Sequence, residues 1–197
     1  ALPGIDLARG RQSGLCEPVQ PLSARKQAFD VAVVEHRDTA VGFASECIDR
    51  LFSTATSHGR VIVVEVMGRY AGWIALQSGI ASGAHAILIP EIPFRLEPVA
   101  ATIAEREERG AKFSIVVVAE GAVPEGGTVS TLGKAVDQAE KLGGMGAKVA
   151  AGLEELTGKE ARTVVLGHLL RGGSPTAFDR VLGLRFGWNR GPTLRDE

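Results

Sequence analysis

The chain has 197 residues, of which 45% are hydrophobic and 23% are charged, proportions that are ordinary for a soluble globular protein. Its formal net charge of −1 gives no excess of positive charge, which argues against nucleic acid or an anionic membrane surface as a partner. No stretch approaches the ~18 apolar residues that a membrane span needs. The two cysteines, Cys16 and Cys47, lack the spacing of a metal site and indicate a reducing, cytoplasmic compartment.

Residues 1–37 show no sustained hydrophobic period and are predicted to be loop or disorder, except for the strand-like residues 31–34. Asp38 is a candidate N-cap for a helix over residues 39–57. Apolar residues at helical spacing place Cys47 on the buried side of that helix, which makes it a packing residue.

The segment at residues 61–73, VIVVEVMGRYAGW, carries the strongest local pattern. Its β-branched run predicts a buried strand of a parallel sheet, and Gly68 lets the backbone leave that strand tightly. A helix beginning near Tyr70 would direct unpaired N–H groups toward the same loop, where Arg69 adds a permanent charge. This pattern suits a phosphate-bearing ligand. The residues alone leave open the alternative of an ordinary βα turn with a solvated Arg69.

Strands and helices alternate along the rest of the chain. The predicted strands cover residues 85–89, 113–119 and 163–166, the predicted helices cover residues 71–81, 97–109, 145–156 and 177–185, and residues 124–144 predict a long loop. Such alternation predicts an α/β fold with three layers, in which a mostly parallel sheet has helices on both faces.

Polar side chains collect where these predicted strands end. In an open parallel sheet, this edge is where ligands bind. Arginine suits phosphate and glutamate suits hydroxyl groups, so the pattern predicts a site for a phosphorylated polyol. The side chains concerned are Arg69, Glu91, Glu120, His168 and Arg171.

Four motifs follow one another along this region: VVEVMGRYAGWIAL, ILIPEIPF, VVVAEGA and ARTVVLGHLLRGGSPTAFDR. In this order and spacing, residues 38–187 resemble the second half of the 6-phosphofructokinase family. The resemblance implies a sugar-phosphate-binding lobe at residues 38–169, with residues 170–187 starting the return to a nucleotide-binding lobe. Residues 1–37 and 188–197 are not family-like and stay unassigned.

The resemblance also implies roles for the residues around the first motif. Met67, Gly68 and Arg69 match the loop that contacts fructose 6-phosphate. Arg69 would in addition stabilise the transferring phosphoryl group electrostatically. Glu120 matches the carboxylate that accepts hydrogen bonds from the sugar hydroxyls.

Two further pairs match residues that hold the 6-phosphate. His168 and Arg171 match the pair from the same subunit, whereas Arg60 and Arg162 match two arginines from a neighbouring subunit, which implies a homo-oligomer, a dimer or a tetramer. On the residues alone, Arg60 and Arg162 could be solvated charges and His168 a structural, hydrogen-bonded residue. Glu91 stands between two prolines, could simply cap its loop, and is left outside the site.

Parts of the family's pattern are missing. No Gly-rich GGDG segment for the phosphoryl donor occurs in the sequence. The catalytic Thr-Ile-Asp-Asn-Asp motif should align with residues 23–27, which are Ser-Ala-Arg-Lys-Gln, so the base that deprotonates the sugar 1-hydroxyl has no counterpart. The resemblance also begins and ends abruptly, at residues 38 and 187, and the sequence starts with Ala1 instead of Met. Together with the missing motifs, this indicates a partial gene product, an altered reading frame or a truncated chain.

Two positions that serve regulation in the family also differ. Phe52 replaces an arginine that helps bind the allosteric nucleotide in bacterial ATP-dependent members, and His85 replaces a glutamate that binds the effector's metal. These changes favour the branch of the family that contains pyrophosphate-using and unregulated enzymes.

Two functions follow from these patterns. The first is phosphoryl transfer in glycolysis from ATP or pyrophosphate, with Mg²⁺, to the 1-hydroxyl of fructose 6-phosphate, with Arg69 as the catalytic residue and no metal ligand assigned. The second is a non-catalytic sugar-phosphate-binding or regulatory module, which keeps the phosphate clamp and lacks the base.

Overall fold

The computed structural model describes residues 37–128 and 143–188, with side chains described up to Arg185. The predicted strand at residues 31–34 and the segment at residues 23–27 lie outside the described residues. The helices are α1 (Arg37–His58), α2 (Trp73–Ala81), α3 (Leu96–Glu108), α4 (Met145–Thr157) and α5 (Ala177–Trp188), the strands are β1 (Val61–Val66), β2 (Ala86–Leu88), β3 (Ser114–Ala119) and β4 (Ala161–Val165), and a 3₁₀ helix covers Gly167–Arg171.

The four strands form one sheet in the order β2-β3-β1-β4, and every pair of neighbours is parallel. All residues of the two central strands, β1 and β3, are buried. Both strands are runs of Val and Ile because a parallel sheet is covered on both faces and needs apolar side chains on each. The parallel sheet predicted from these runs is therefore confirmed.

Alternate residues of the central strands pack into two separate cores, since successive side chains of a strand point to opposite faces. On one face, Val63 of β1 packs in a cluster with Val149 of α4 and with α3. On the other face, Val64 packs in a cluster with Ile48 of α1 and with α2. Helices thus cover both faces, and the predicted three-layer α/β fold is confirmed.

Two predicted helix starts are wrong. Helix α1 begins at Arg37, so Asp38 lies in its first turn and is not the N-cap. Helix α2 begins at Trp73, later than the predicted start at residues 70–71, with Gly72 as its N-cap residue. The Gly72 N–H donates to the Glu91 carboxylate over 2.8 Å, so a side chain from a later loop binds the N-cap residue of this helix.

The connections place a crevice between β1 and β3. The chain leaves β1 toward α2 on one face of the sheet, and it leaves β3 toward α4 on the other face. Where two neighbouring parallel strands send their connections to opposite faces, the loops diverge and open a cleft at the carboxyl ends of the strands. The fold therefore places its topological switch point, the usual position of a ligand in an open parallel sheet, directly after Val66 and Ala119.

Candidate functional site

The loops after β1 and β3 meet in this crevice. Because the last residues of the two strands are paired, Met67 and Glu120 leave the sheet side by side. The Gly121 N–H donates to the Gly68 carbonyl over 3.0 Å, which joins the two loops through their backbones. The residues that follow β1 and β3 therefore form one continuous edge.

Glycine is required where the loops touch. A Cβ atom on Gly121 would lie 2.1 Å from the carbonyl oxygen of Arg69 and 2.7 Å from that of Gly68. A Cβ atom on Gly68 would lie 2.8 Å from the carbonyl oxygen of Ala71. Only a residue without a side chain fits such distances, so glycine at both positions lets the two loops pack closely.

Glu120 lies half-buried in the crevice and accepts a long hydrogen bond, 3.5 Å, from the Gly68 N–H. Burial raises the pKa of Glu120 above its ordinary value, and the nearby Glu65 carboxylate raises it further. The Gly68 N–H and the guanidinium groups of Arg171 and Arg69 act in the opposite direction. A carboxyl group between two guanidinium groups, partly withdrawn from water, is suited to bind the hydroxyls of an anionic ligand.

The 3₁₀ helix brings two more predicted residues to the same edge. It follows β4, and the Leu166 N–H just before it donates to the Glu65 carbonyl over 3.0 Å, which keeps it beside β1. The Arg171 Nε then donates to the Met67 Sδ over 3.5 Å. His168 lies on the same short helix and is exposed to solvent.

Arg69 follows Gly68 at the mouth of the crevice. Its guanidinium carbon lies 5.4 Å from the centre of the Tyr70 ring, within the range of a cation–π contact. Six of the predicted site residues therefore share the carboxyl edge of the sheet: Met67, Gly68, Arg69, Glu120, His168 and Arg171.

Arg60 and Arg162 lie at the opposite, amino edge of the sheet. Arg60 immediately precedes β1, and Arg162 is the second residue of β4. Because β1 has six residues, about 20 Å of strand separate Arg60 from the crevice. One copy of the chain does not bring the two arginines together with the other predicted residues.

Glu91 has a role that its sequence context did not reveal. The Oε1 atom accepts the hydrogen bond from the Gly72 N–H, so the carboxylate caps α2 and not its own loop. The Glu91 carboxylate therefore takes one of the N–H groups that the start of α2 is expected to offer to a phosphate.

The two altered regulatory positions are neighbours in the fold. The Phe52 and His85 rings have centroids 6.3 Å apart, and Phe113 contacts both at 5.7 and 5.9 Å. The His85 Nδ1 accepts a hydrogen bond of 2.8 Å from the Ile115 N–H. Phe52 and His85 occupy the positions that the resemblance assigns to an effector and its metal. In this chain both rings pack against Phe113, and His85 also accepts a backbone hydrogen bond.

Sequence reasoning missed Glu160 and Gly121. The Glu160 carboxylate binds both Arg60 and Arg162. Glu160 directly precedes β4, and the strand predicted from the sequence began only at residue 163, so the sequence did not put Glu160 and Arg162 on one strand. The close approach at Gly121 depends on a loop of a different strand, and nothing local to it in the sequence indicates that contact.

Within residues 37–128 and 143–188, no group of three or more His, Cys, Asp or Glu side chains could hold a metal ion. In the same part of the chain, no helix is long and apolar enough to cross a membrane.

Comparison with known proteins identifies relatives of the described region. The model of the family described as Phosphofructokinase matches residues 37–191. ATP-dependent 6-phosphofructokinase 3 of Streptomyces coelicolor is 52% identical over 165 residues, which cover 81% of this chain and 48% of the relative. An ATP-dependent 6-phosphofructokinase of Chloroflexus aurantiacus is 55% identical over 150 residues, covering 76% of this chain and 41% of the relative. The chain therefore spans about half the length of these curated relatives.

A solved structure shows the same fold. Phosphofructokinase from Saccharomyces cerevisiae superposes with a TM-score of 0.64 and 32% identity, covering 81% of this chain and 20% of the yeast chain. The described fold therefore corresponds to part of a larger phosphofructokinase chain. On its sequence and its structure, the chain belongs to the phosphofructokinase family.

Proposed function

We propose that the chain is the sugar-phosphate-binding half of an ATP-dependent 6-phosphofructokinase, a glycolytic enzyme that transfers a phosphoryl group to the 1-hydroxyl of fructose 6-phosphate. The observation that carries the proposal is the crevice itself. There the Gly68 N–H donates to the Glu120 carboxylate and the Arg171 guanidinium donates to the Met67 thioether sulfur, each over 3.5 Å.

Each group in the crevice has a task in binding the sugar phosphate. Main-chain groups of the Gly68 loop bind the sugar at close range, since glycine lets a ligand approach the backbone. Glu120 accepts hydrogen bonds from sugar hydroxyls, and His168 and Arg171 hold the 6-phosphate. Arg69 stabilises the negative charge of the transferring phosphoryl group, which makes it the catalytic residue of this half.

The position of the two arginines supports a site shared between subunits. Arg60 and Arg162 lie at the amino edge of the sheet, about 20 Å of strand away from the crevice of the same copy. Presented by a neighbouring copy, they complete the clamp on the 6-phosphate. The active assembly is therefore a homo-oligomer, a dimer or a tetramer, and each site needs residues of two copies.

The donor is ATP, because the two curated relatives that are 52% and 55% identical are both named ATP-dependent enzymes. Pyrophosphate is the alternative that the altered residues Phe52 and His85 favour.

Mg²⁺ accompanies either donor and neutralises phosphate charge when it is bound. The described residues include no group of three or more His, Cys, Asp or Glu side chains that could hold a metal ion. The compartment that suits this activity is the cytoplasm.

A second function is favoured by one specific observation. Residues 23–27 contain no aspartate, so the polypeptide has no counterpart of the base that activates the 1-hydroxyl. A non-catalytic module that binds a sugar phosphate through the same crevice and clamp would need no such base.

The shared site can be tested by complementation. Arg162→Ala removes the guanidinium that one copy presents to the site of its neighbour. His168→Ala removes the imidazole that a copy contributes to its own site. Each variant alone should bind fructose 6-phosphate weakly in calorimetry. When the two are co-expressed, random pairing in a two-fold dimer should restore about one site in four.

Arg50→Ala is the matched control, because Arg50 is exposed on α1 and pairs only with its helix neighbour Glu46 among the described contacts. It should bind like the original chain. Absence of restored sites in the co-expressed mixture would contradict the sharing of sites between copies. Absence of fructose 6-phosphate binding by the unaltered protein would contradict the proposed function as a whole.

A further inference from the structure

One carboxylate at the amino edge of the sheet binds two arginines. The Arg60 Nε donates to the Glu160 Oε2 over 2.5 Å. The Arg162 guanidinium donates to the other carboxylate oxygen, Oε1. All three side chains are partly exposed, with 31% of the Arg60 side chain and 64% of the Arg162 side chain accessible to solvent.

The strand register explains why these three residues meet. β1 and β4 are parallel neighbours in which Val61 pairs with Ala161, so Arg60 and Glu160 stand side by side just before their strands. The Val61 N–H donates to the Glu160 carbonyl over 3.1 Å, which fixes this pairing. Arg162 lies two residues after Glu160 and therefore on the same face of the strand.

The group keeps a net positive charge. Two guanidinium groups and one carboxylate sum to one positive charge, and the carboxylate lies between two cations that would otherwise repel each other. The hydrogen bond from Arg60 lowers the pKa of Glu160 below its ordinary value, and Arg162 lowers it further. Glu160 is therefore ionised at neutral pH.

We propose that Glu160 is a positioning residue that holds Arg60 and Arg162 together as one binding unit for a phosphate monoester. This inference rests on the proposed function, in which the phosphate is the 6-phosphate of a sugar bound to a second copy. Each contact with Glu160 uses one of the five N–H groups of a guanidinium. Other N–H groups of both arginines remain available to bind phosphate oxygens.

The alternative role for Glu160 is competition with the phosphate, and it predicts the opposite effect. If the carboxylate merely occupied the anion site, its neutralisation would raise the local charge and strengthen phosphate binding. If it positions the arginines, its neutralisation frees two long, flexible side chains, which must then be ordered when the anion binds. The sign of the change in affinity therefore distinguishes the two roles.

The test uses the full chain and Glu160→Gln. The Nε–H signals of Arg60 and Arg162 are followed by NMR while inorganic phosphate, and separately fructose 6-phosphate, is added. We expect Glu160→Gln to shift the Arg60 Nε–H signal of the free protein and to weaken phosphate binding about three- to tenfold, the scale of two exposed ion pairs. A merely structural ion pair would also shift the Arg60 Nε–H signal but would leave the affinity for phosphate unchanged.

Two further variants separate the specific effect of Glu160 from a general loss of negative charge. Glu46→Gln is the matched control, because it removes the same charge from an exposed carboxylate that pairs with Arg50 on α1, and its affinity should equal that of the original chain. Glu160→Asp keeps the charge but is shorter by one methylene, and its affinity should lie between those of the original chain and Glu160→Gln.

Equal or tighter phosphate binding by Glu160→Gln would overturn the positioning role. Phosphate binding at the two arginines with no gain from fructose 6-phosphate would leave the positioning role standing and would count against the proposed function. If neither anion moved the Arg60 and Arg162 signals of the original chain, both the positioning role and the shared clamp would be wrong.

Discussion

The Asp179 carboxylate accepts a hydrogen bond of 2.8 Å from the backbone N–H of Thr39 and another of 2.6 Å from the Thr39 hydroxyl. The same carboxylate accepts the Asp38 N–H over 3.1 Å. Asp179 thus caps α1 from the distant helix α5, and its side chain is almost wholly buried. Burial opposes ionisation, but the hydrogen bonds from Thr39 and Asp38 outweigh it and hold the pKa of Asp179 below its ordinary value.

Asp179→Asn should lower the free energy of unfolding by about 1–3 kcal/mol, because a charged acceptor of several buried hydrogen bonds is replaced by an amide that can accept at only one atom. Chemical denaturation followed by circular dichroism measures the change. Asp49→Asn provides the control, since Asp49 is exposed on α1 and should change stability by less than about 0.5 kcal/mol. Equal stability of the two variants would show that the cap contributes little.

Gly121→Ala should disturb the crevice more than the fold. Its Cβ would lie 2.1 Å from the Arg69 carbonyl oxygen, so the loop after β1 must move away from the loop after β3. We expect a loss of about 1–3 kcal/mol in the free energy of unfolding and weaker binding of fructose 6-phosphate by calorimetry.

Gly42→Ala is the matched control for this substitution. Gly42 lies within α1, and a Cβ there would meet no atom within 4 Å. Alanine is a better helix former, so this variant should be about 0.5–1 kcal/mol more stable than the original chain. Unchanged sugar-phosphate binding by Gly121→Ala would contradict the assignment of the crevice as the binding site.

His85 predicts a pH dependence of stability. Burial lowers the pKa of His85 below its ordinary 6.5, and the nearby Arg106 lowers it further. The unfolded chain therefore binds a proton more readily than the folded chain as the pH falls. The contribution of His85 to stability should be complete above pH 6.5 and should decrease toward lower pH by at most about 1.4 kcal/mol per pH unit. Protonation of Nδ1 would also break the hydrogen bond from the Ile115 N–H.

Denaturation at a series of pH values between 7.5 and 5 measures this effect, and His85→Gln is the comparison. The variant lacks the titrating ring, so the difference in unfolding free energy between it and the original chain should change with pH in that range. A constant difference would show that His85 has the same pKa in the folded and unfolded chains.

The sheet could be predicted from the sequence because its signals are local. The apolar runs that became β1 and β3 identify buried parallel strands by themselves, and the alternation of elements implies helices on both faces. The position of Met67 and Glu120 at the carboxyl edge of the sheet could be predicted too, because each comes immediately after such a run. The ends of the helices could not be predicted in the same way, because Glu91 and Asp179 act as caps on elements that are distant in the sequence.

The separation of Arg60 from the crevice was implicit in the sequence. A residue before a strand and a residue after it must lie at opposite edges of a parallel sheet, whatever the rest of the fold does. The pairing of Arg60 and Arg162 through Glu160 required the register of β1 with β4 as well. That register is a property of the ladder between the two strands, which begins at the Val61 N–H donating to the Glu160 carbonyl, and no local sequence pattern specifies it.

The 197-residue polypeptide, assayed by itself, should show no measurable phosphoryl transfer to fructose 6-phosphate. Arg69 can stabilise charge, but the sugar 1-hydroxyl is a weak nucleophile near neutral pH, and residues 23–27 supply no aspartate to activate it. A positioned base typically contributes about 10²–10⁴-fold. Holding donor and acceptor in line can lower the barrier by a further ~7–11 kcal/mol, but the polypeptide has no GGDG segment to bind the donor.

A coupled assay with ATP, and then with pyrophosphate, should therefore stay at background while calorimetry with fructose 6-phosphate still detects binding. Turnover near the roughly 1–100 s⁻¹ that is usual for kinases would mean that another side chain acts as the base, and Glu120→Gln would be the first variant to test for it.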